Sequence, residues 1–205
     1  MSVVLGITGG IATGKSTVLQ MLGDLGAETL SADDVARQVL ARGEPAHLEV
    51  AEAFGSDVID NDSGEIDRAA LGELVFRDSE AKRLLESITH PRIIDRIRSR
   101  IDDFRHSHPE PDAVLAVEIP LLIECGLEDM VDQVVVVAAE QEAQISRLTT
   151  RNLSRGQSLR RIRSQMPTDA KIARARRVIR NDSDLRSLEC AVRRMWREIC
   201  LPWHD

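Results

Sequence analysis

The chain has no tyrosine, two tryptophans and three phenylalanines. Its core must therefore be built from aliphatic side chains. It has three cysteines, Cys125, Cys190 and Cys200, with no C-x-x-C pair. Neither a zinc site nor a disulfide framework is supported, and reduced thiols in a cytoplasm are expected. No apolar run approaches membrane-spanning length, and the N-terminus leads straight into an expected strand, so neither a membrane partner nor a signal peptide is expected. Lysine is confined to Lys15, Lys82 and Lys171, so nearly all positive charge is arginine. No D-x-x-G and no N-K-x-D occurs, which argues against a guanine-nucleotide switch. What remains is a 205-residue chain, 42% hydrophobic and 30% charged, enough for one large domain or a core with insertions.

The net charge of −7 conceals an asymmetry. Arg147 to Arg180 carries eleven basic residues and one acidic residue, a charge of +10 against −17 for the rest. A basic segment within an acidic chain suggests a local anionic ligand rather than general affinity for nucleic acid. Guanidinium forks suit bidentate phosphate contacts. The alternative is a set of solvated helix faces.

Gly9 to Ser16 reads G-G-I-A-T-G-K-S, directly after the apolar run Val3 to Ile7. Glycine, four residues, glycine, lysine and serine, set between a strand and a helix, form the phosphate-binding loop pattern. Its glycines let backbone N–H groups approach phosphate oxygens. Lys15 is expected to reach the β- and γ-phosphates, and the Ser16 hydroxyl to ligate magnesium. The next segment carries Val18, Met21, Leu22 and Leu25 at helical spacing and stops at Gly26.

Strands are expected at Val3–Ile7, Glu28–Ser31, Val114–Ile119, Val134–Ala138 and Arg177–Arg180. The first, third and fourth are continuous aliphatic runs, as in a parallel sheet buried on both faces. Helical patterns separate them, so the class is α/β. Asp34 to Phe104 shows almost no strand signal and reads as helices broken at Gly43-Glu44-Pro45, Asn61 to Gly64 and His90-Pro91. His106 to Pro111 reads as a polar return loop. Asp60 to Gly64 resembles the start of a calcium loop, but glycine falls at position five and Leu71 at position twelve, so a turn is the better account. A small-molecule kinase needs a helical acceptor-binding region and an arginine-bearing lid, and both have candidates here.

Thr8 to Thr17 (T-G-G-I-A-T-G-K-S-T), Ala32 to Arg37 (A-D-D-V-A-R), Gly64 to Arg68, Leu71 to Phe76, Thr89-His90-Pro91, Pro120 to Glu124, and the pattern Arg147-Leu148, Arg151, Arg161-Ile162, Gln165, Pro167 follow one another in a fixed order. In that order and spacing the chain resembles the dephospho-coenzyme A kinase family over nearly its whole length. Three departures stand out: Ser31 where the family often has Asp, Ala12 where it commonly has Gly, and Ala175 to Ser183 where it tends to show A-D-x-V-I-x-N-x-G.

The resemblance implies a three-layer P-loop kinase fold with a mainly parallel five-stranded sheet. Residues 1–33, 112–146 and 166–205 would form the nucleotide core, 34–111 a helical acceptor-binding insertion, and 147–165 an arginine-rich lid. It implies phosphorylation by ATP, with magnesium, of the ribose 3′-hydroxyl of dephospho-coenzyme A, in a monomer or small homo-oligomer. Lys15, Asp33 and Arg151 are the expected catalytic residues. Gly10, Ile11, Ala12, Thr13, Gly14, Lys15, Ser16, Thr17 and Asn181 are expected to hold the nucleotide. Thr8, Arg37, His90, Arg147 and Arg161 are expected to contact substrate. Alternatives stay open for several: Asp33 as a helix cap, Arg37 as a surface residue, His90 as a helix terminator, Arg147 and Arg161 as structural, and Glu118 as a metal-orienting acid or a backbone cap. A kinase for another acceptor such as a nucleoside monophosphate, and a non-catalytic ATP-binding regulator, are the rival functions.

Overall fold

The computed structural model describes residues 2–109 and 112–200. Five parallel strands form one sheet: β1 (Val3–Gly9), β2 (Glu28–Ser31), β3 (Val114–Glu118), β4 (Gln133–Ala138) and β5 (Arg177–Arg180), in the order β2-β3-β1-β4-β5. Each expected strand is present, with end points within two residues of those read from the sequence. The aliphatic runs occupy the three central strands, where both faces are covered. Register pairs Ile7 with Glu118 and with Val135.

Strand alternation divides the core. Leu5, Ile7, Val114, Ala116, Val135, Val137 and Ile179 meet Val18 and Leu22 of α1 (Lys15–Asp24) and Leu188, Val192, Met195 and Ile199 of the last helix, Leu185–Cys200. Their neighbours in sequence point to the opposite face. There, a Cβ added at Gly6 would lie 2.7 Å from a Leu122 methyl, so bulk on β1 is sacrificed to close packing. Aliphatic side chains do fill the sheet core, as the scarcity of aromatics requires.

The described chain divides into two compact units, residues 1–31 with 103–205, and residues 32–102. The second contains α2 (Ala32–Val39), α3 (Pro45–Phe54), α4 (Arg68–Arg77) and much of α5 (Ser79–Ser107). The turn expected at Asp60 to Gly64 is present. The Asp60 carboxylate accepts from the Asp62 and Ser63 amides at 3.1 and 2.8 Å and from Ser63 Oγ at 2.8 Å. Those donors, the Ser63 amide first, hold its carboxyl below the usual range. Asp67 then caps α4 by accepting from the Ala69 and Ala70 amides.

One expected break does not occur. α5 passes through His90-Pro91 without interruption. Pro91 lacks the N–H that would serve the Ser87 carbonyl, a loss of about 3 kcal/mol in a helix interior. The damage is local to one turn of a 29-residue helix, and the Arg92 guanidinium donates to the next carbonyl, Ile88 O, at 2.6 Å. The same helix absorbs the start of the expected return loop, whose residues 110 and 111 lie outside the described residues.

In the first unit, α6 (Gln141–Thr149), α7 (Arg155–Arg163) and α8 (Thr168–Ile172) lie between β4 and β5, and the Leu185–Cys200 helix is α9. The basic segment is therefore the end of α6, the short helices α7 and α8 with the turns flanking them, and β5. Ser154 and Gln157 form a reciprocal cap on α7.

Candidate active site

In the strand order, the chain leaves β1 toward β2 but leaves both neighbours, β3 and β4, toward β5. Such a reversal opens a crevice beyond the carboxyl ends of the strands, where ligands of α/β sheets bind. The Gly9–Ser16 loop springs from that point.

The loop is tightly turned. A Cβ at Gly9, whose φ is +151°, would lie 2.2 Å from Val137 O, and one at Gly14, φ +97°, would lie 2.4 Å from Asn181 Nδ2. Only glycine fits either place. Ala12 takes a left-handed φ of 58° without being glycine. That backbone conformation favours glycine. Thr13 is fully buried, and its Oγ1 donates to Gly10 O at 2.9 Å. Lys15 opens α1, and its Nζ donates to the Gly9 and Gly10 carbonyls at 3.3 and 3.0 Å. Ser16 is exposed in the first turn of α1, with Thr17 beside it. The amino end of α1 adds partial positive charge beneath the loop.

Three side chains from distant sequence brace this loop. Gln165 Oε1 accepts from the Ile11 amide at 2.7 Å. Arg147 Nη1 donates to Ala12 O at 3.1 Å, and its Nη2 donates to Asn181 O at 2.6 Å. Asn181 Nδ2 donates to Thr13 O at 2.8 Å. Arg147, expected at substrate, belongs to α6 and turns its guanidinium onto main-chain oxygens, in keeping with its structural alternative. Asn181, expected to hold nucleotide, follows β5 and is buried with its amide on the loop. The bracing role was not visible in sequence because the partners lie from 34 to 168 positions apart.

Thr8, expected at substrate, is fully buried and donates to Pro120 O at 3.1 Å, so its hydroxyl ties the turn after β3 to β1. Glu118 closes β3 and is buried.

Arg151 and Arg161 are exposed. Arg151 lies in the turn after α6 and Arg161 on α7. Neither guanidinium has a hydrogen-bond or ion-pair partner among the described residues. Arg155 at the start of α7 instead grips Glu142 of α6 in a two-point pair at 2.9 and 2.7 Å.

The remaining expected residues belong to the second unit. Asp33 is exposed in the first turn of α2, which begins at Ala32. Since Asp33 lies inside the helix, the cap alternative is not what is seen. Arg37, one turn on, is exposed and paired with Asp34. His90 is half-buried within α5.

Among the described residues no group of three or more His, Cys, Asp or Glu side chains gathers to hold a metal. A single hydroxyl at Ser16 fits a magnesium ion that takes most of its ligands from phosphate and water.

Comparison with known proteins bears on this arrangement. The family model described as dephospho-CoA kinase matches residues 3–187. A dephospho-CoA kinase of Moorella thermoacetica is 44% identical over 197 residues, covering 96% of this chain and 92% of that protein. One of Geobacter metallireducens is 43% identical over 196 residues, covering 95% and 96%. The solved structure of a dephospho-CoA kinase from Campylobacter jejuni superposes with a TM-score of 0.74 at 28% identity, covering 98% of each chain. With its phosphate loop, strand order and near full-length match, the chain belongs to the dephospho-CoA kinase family.

Proposed function

We propose that this chain catalyses the ATP-dependent phosphorylation of the ribose 3′-hydroxyl of dephospho-coenzyme A, giving coenzyme A and ADP, the last step of coenzyme A biosynthesis. The observation that carries the reading is the Lys15 ammonium, seated on the Gly9 and Gly10 carbonyls inside a braced phosphate loop. Phosphoryl transfer asks a protein for alignment and charge neutralisation more than for covalent chemistry. The amides of the loop and the amino end of α1 hold the polyphosphate. Lys15, with three donors, reaches the β- and γ-phosphate oxygens from its seat on the loop carbonyls. Ser16 would supply one protein ligand to magnesium, which would contribute charge neutralisation at the phosphates.

Asp33, two residues along the chain from β2, orients the attacking hydroxyl and accepts its proton. Arg37 and His90 contact the acceptor. Arg151, with Arg161 behind it, supplies positive charge as transfer proceeds. Both guanidiniums are unpaired among the described residues and so need break no ion pair to reach a phosphate. The same reading places the protein in the cytoplasm, as a monomer or small homo-oligomer, with no nucleic-acid or membrane partner; among the described residues no helix is long and apolar enough to cross a membrane.

A coupled ADP-release assay with a panel of acceptors tests the proposal. Dephospho-coenzyme A should be turned over with phosphate appearing at the 3′ position. Faster turnover of a nucleoside monophosphate would move the chain to another acceptor. ATP binding with silence toward every acceptor would make it a regulator.

A further inference from the structure

The peptide plane between Gly10 and Ile11 is held from both ends. Its carbonyl, Gly10 O, accepts from the Thr13 amide at 3.4 Å, from Thr13 Oγ1 at 2.9 Å and from the Lys15 ammonium at 3.0 Å. Its N–H, on Ile11, donates to Gln165 Oε1 at 2.7 Å. A carboxamide that accepts from an amide must present its oxygen there, which settles which way the Gln165 side chain faces. A second carboxamide flanks the same plane. Gln144 is buried, its Nε2 donates to Ala139 O at 2.9 Å, and its Oε1 lies 3.3 Å from where a Gly10 Cβ would be.

Gln165 is itself firmly rooted. It follows α7, the helix bearing Arg160, Arg161 and Arg163, and precedes α8. On α8 the fully buried Lys171 pairs with Glu124 at 2.6 Å. Just beyond, Arg174 donates to Ile123 O at 3.4 Å and pairs with Glu128. The segment returning from the arginine helix is thereby fastened to the turn after β3, and Gln165 reaches the phosphate loop from a fixed base.

We infer that Gln165 is a positioning residue for phosphoryl transfer: by holding the Ile11 N–H it sets the Gly10–Ile11 peptide plane, and that plane sets where Gly10 O seats the Lys15 ammonium. Gly10 has no side chain to resist rotation, so the plane needs an external hold. Ile11 N–H without an acceptor is a backbone donor that the loop must satisfy in some other orientation. A turned plane withdraws the Gly10 carbonyl from Lys15 and misplaces the ammonium by a fraction of its reach. The same bond joins the arginine helix to the loop, so a change in one is felt by the other. The kinetic part of this inference rests on the kinase reading above; the bond and its effect on the loop do not.

The test uses Gln165→Met, which keeps length but offers no acceptor, and Gln165→Glu, which keeps an oxygen for the Ile11 amide. Hydrogen exchange at the resolved Ile11 amide is measured by NMR in the full chain, without substrate. Exchange should accelerate at least about tenfold in Q165M, in line with a lost amide bond, and stay protected in Q165E, while β1 amides are unchanged in both. Steady-state kinetics with dephospho-coenzyme A should show kcat lowered about tenfold or more in Q165M, with KM for the acceptor within about twofold. Wild-type exchange at Ile11 in Q165M overturns the inference. So does loss of protection in Q165E, an unchanged kcat in Q165M, or a fall in kcat matched by a rise in acceptor KM and a lowered Tm. If the wild-type protein turned over no acceptor, the kinase reading would fail on its own, and the exchange result would still decide whether Gln165 holds the loop.

Discussion

Arg147 and Asn181 form one brace: Arg147 Nη2 donates to Asn181 O at 2.6 Å while Asn181 Nδ2 donates to Thr13 O at 2.8 Å. Arg147 Nη1 meets the same loop at Ala12 O, so the guanidinium bridges α6, the end of β5 and the phosphate loop. Replacing it by alanine removes charge-assisted bonds to several carbonyls. Arg147→Ala should lose about 2 kcal/mol of stability and weaken ATP binding. Arg147→Lys should recover little, because a point charge cannot span the oxygens that a planar fork does. Denaturant melts and calorimetric ATP titration check both; full recovery by lysine would mean that only the charge matters.

Lys15 donates to the Gly9 and Gly10 carbonyls at the mouth of the phosphate loop. Lys15→Ala should lower kcat/KM by about a thousandfold or more. Near-full activity would remove the phosphate-loop assignment from the reaction.

Asp33 is exposed in the first turn of α2, where a negative charge stabilises a helix by about 0.3–1 kcal/mol. Its stability role is therefore small, and any large effect of Asp33→Asn must come through chemistry. Turnover should fall about a hundredfold or more, with ATP affinity retained and Tm nearly unchanged. A variant that loses only thermal stability would show a helix-dipole role and no other.

The strands and the loop were legible in sequence because each rests on local rules. Continuous aliphatic runs at Val114 and Val134 fit doubly covered strands, and G-G-I-A-T-G-K-S names its own turn. The braces were not legible. Gln165 and Ile11 are 154 positions apart, and no periodicity announces that a carboxamide will meet an amide across such a span. The Thr8 contact was not legible either: its hydroxyl meets the Pro120 carbonyl, 112 positions away. At Pro91 a strong local signal for a break lost to the long helix around it.

Ala12 holds a left-handed backbone, φ 58°, at a cost of about 1 kcal/mol for a residue with a Cβ. Glycine removes that cost but gains about 0.5 kcal/mol or more of unfolded-state freedom. Ala12→Gly should thus stabilise by a few tenths of a kcal/mol, on the order of the difference between those terms, with ATP affinity unchanged. A stability loss above about 1 kcal/mol would mean that the Ala12 methyl makes contacts worth more than the strain it brings.

The Glu142–Arg155 pair joins α6 to α7 on the exposed face of the arginine segment. The Arg155 hydrogen bond, and then its charge, hold the Glu142 carboxyl below its ordinary value of 4.5. The same bond pushes the Arg155 guanidinium up. A depressed carboxyl contributes stability that is fully present above its unfolded pKa and is lost as pH falls through the lower, folded value. The guanidinium contributes below its own unfolded pKa, so it stays intact throughout neutral and acid solution. The pair should therefore be insensitive to pH between about 6 and 8 and open only in acid, below pH 4.5. Because both groups are exposed, added salt should weaken it as well. Glu142→Gln should flatten that part of the acid limb of the Tm-against-pH curve and leave the neutral region nearly unchanged. If wild type and variant lost stability in parallel through the acid range, the pair would not be what couples α6 to α7, and the hold on the arginine helix would fall to Gln165 and the α8 anchor.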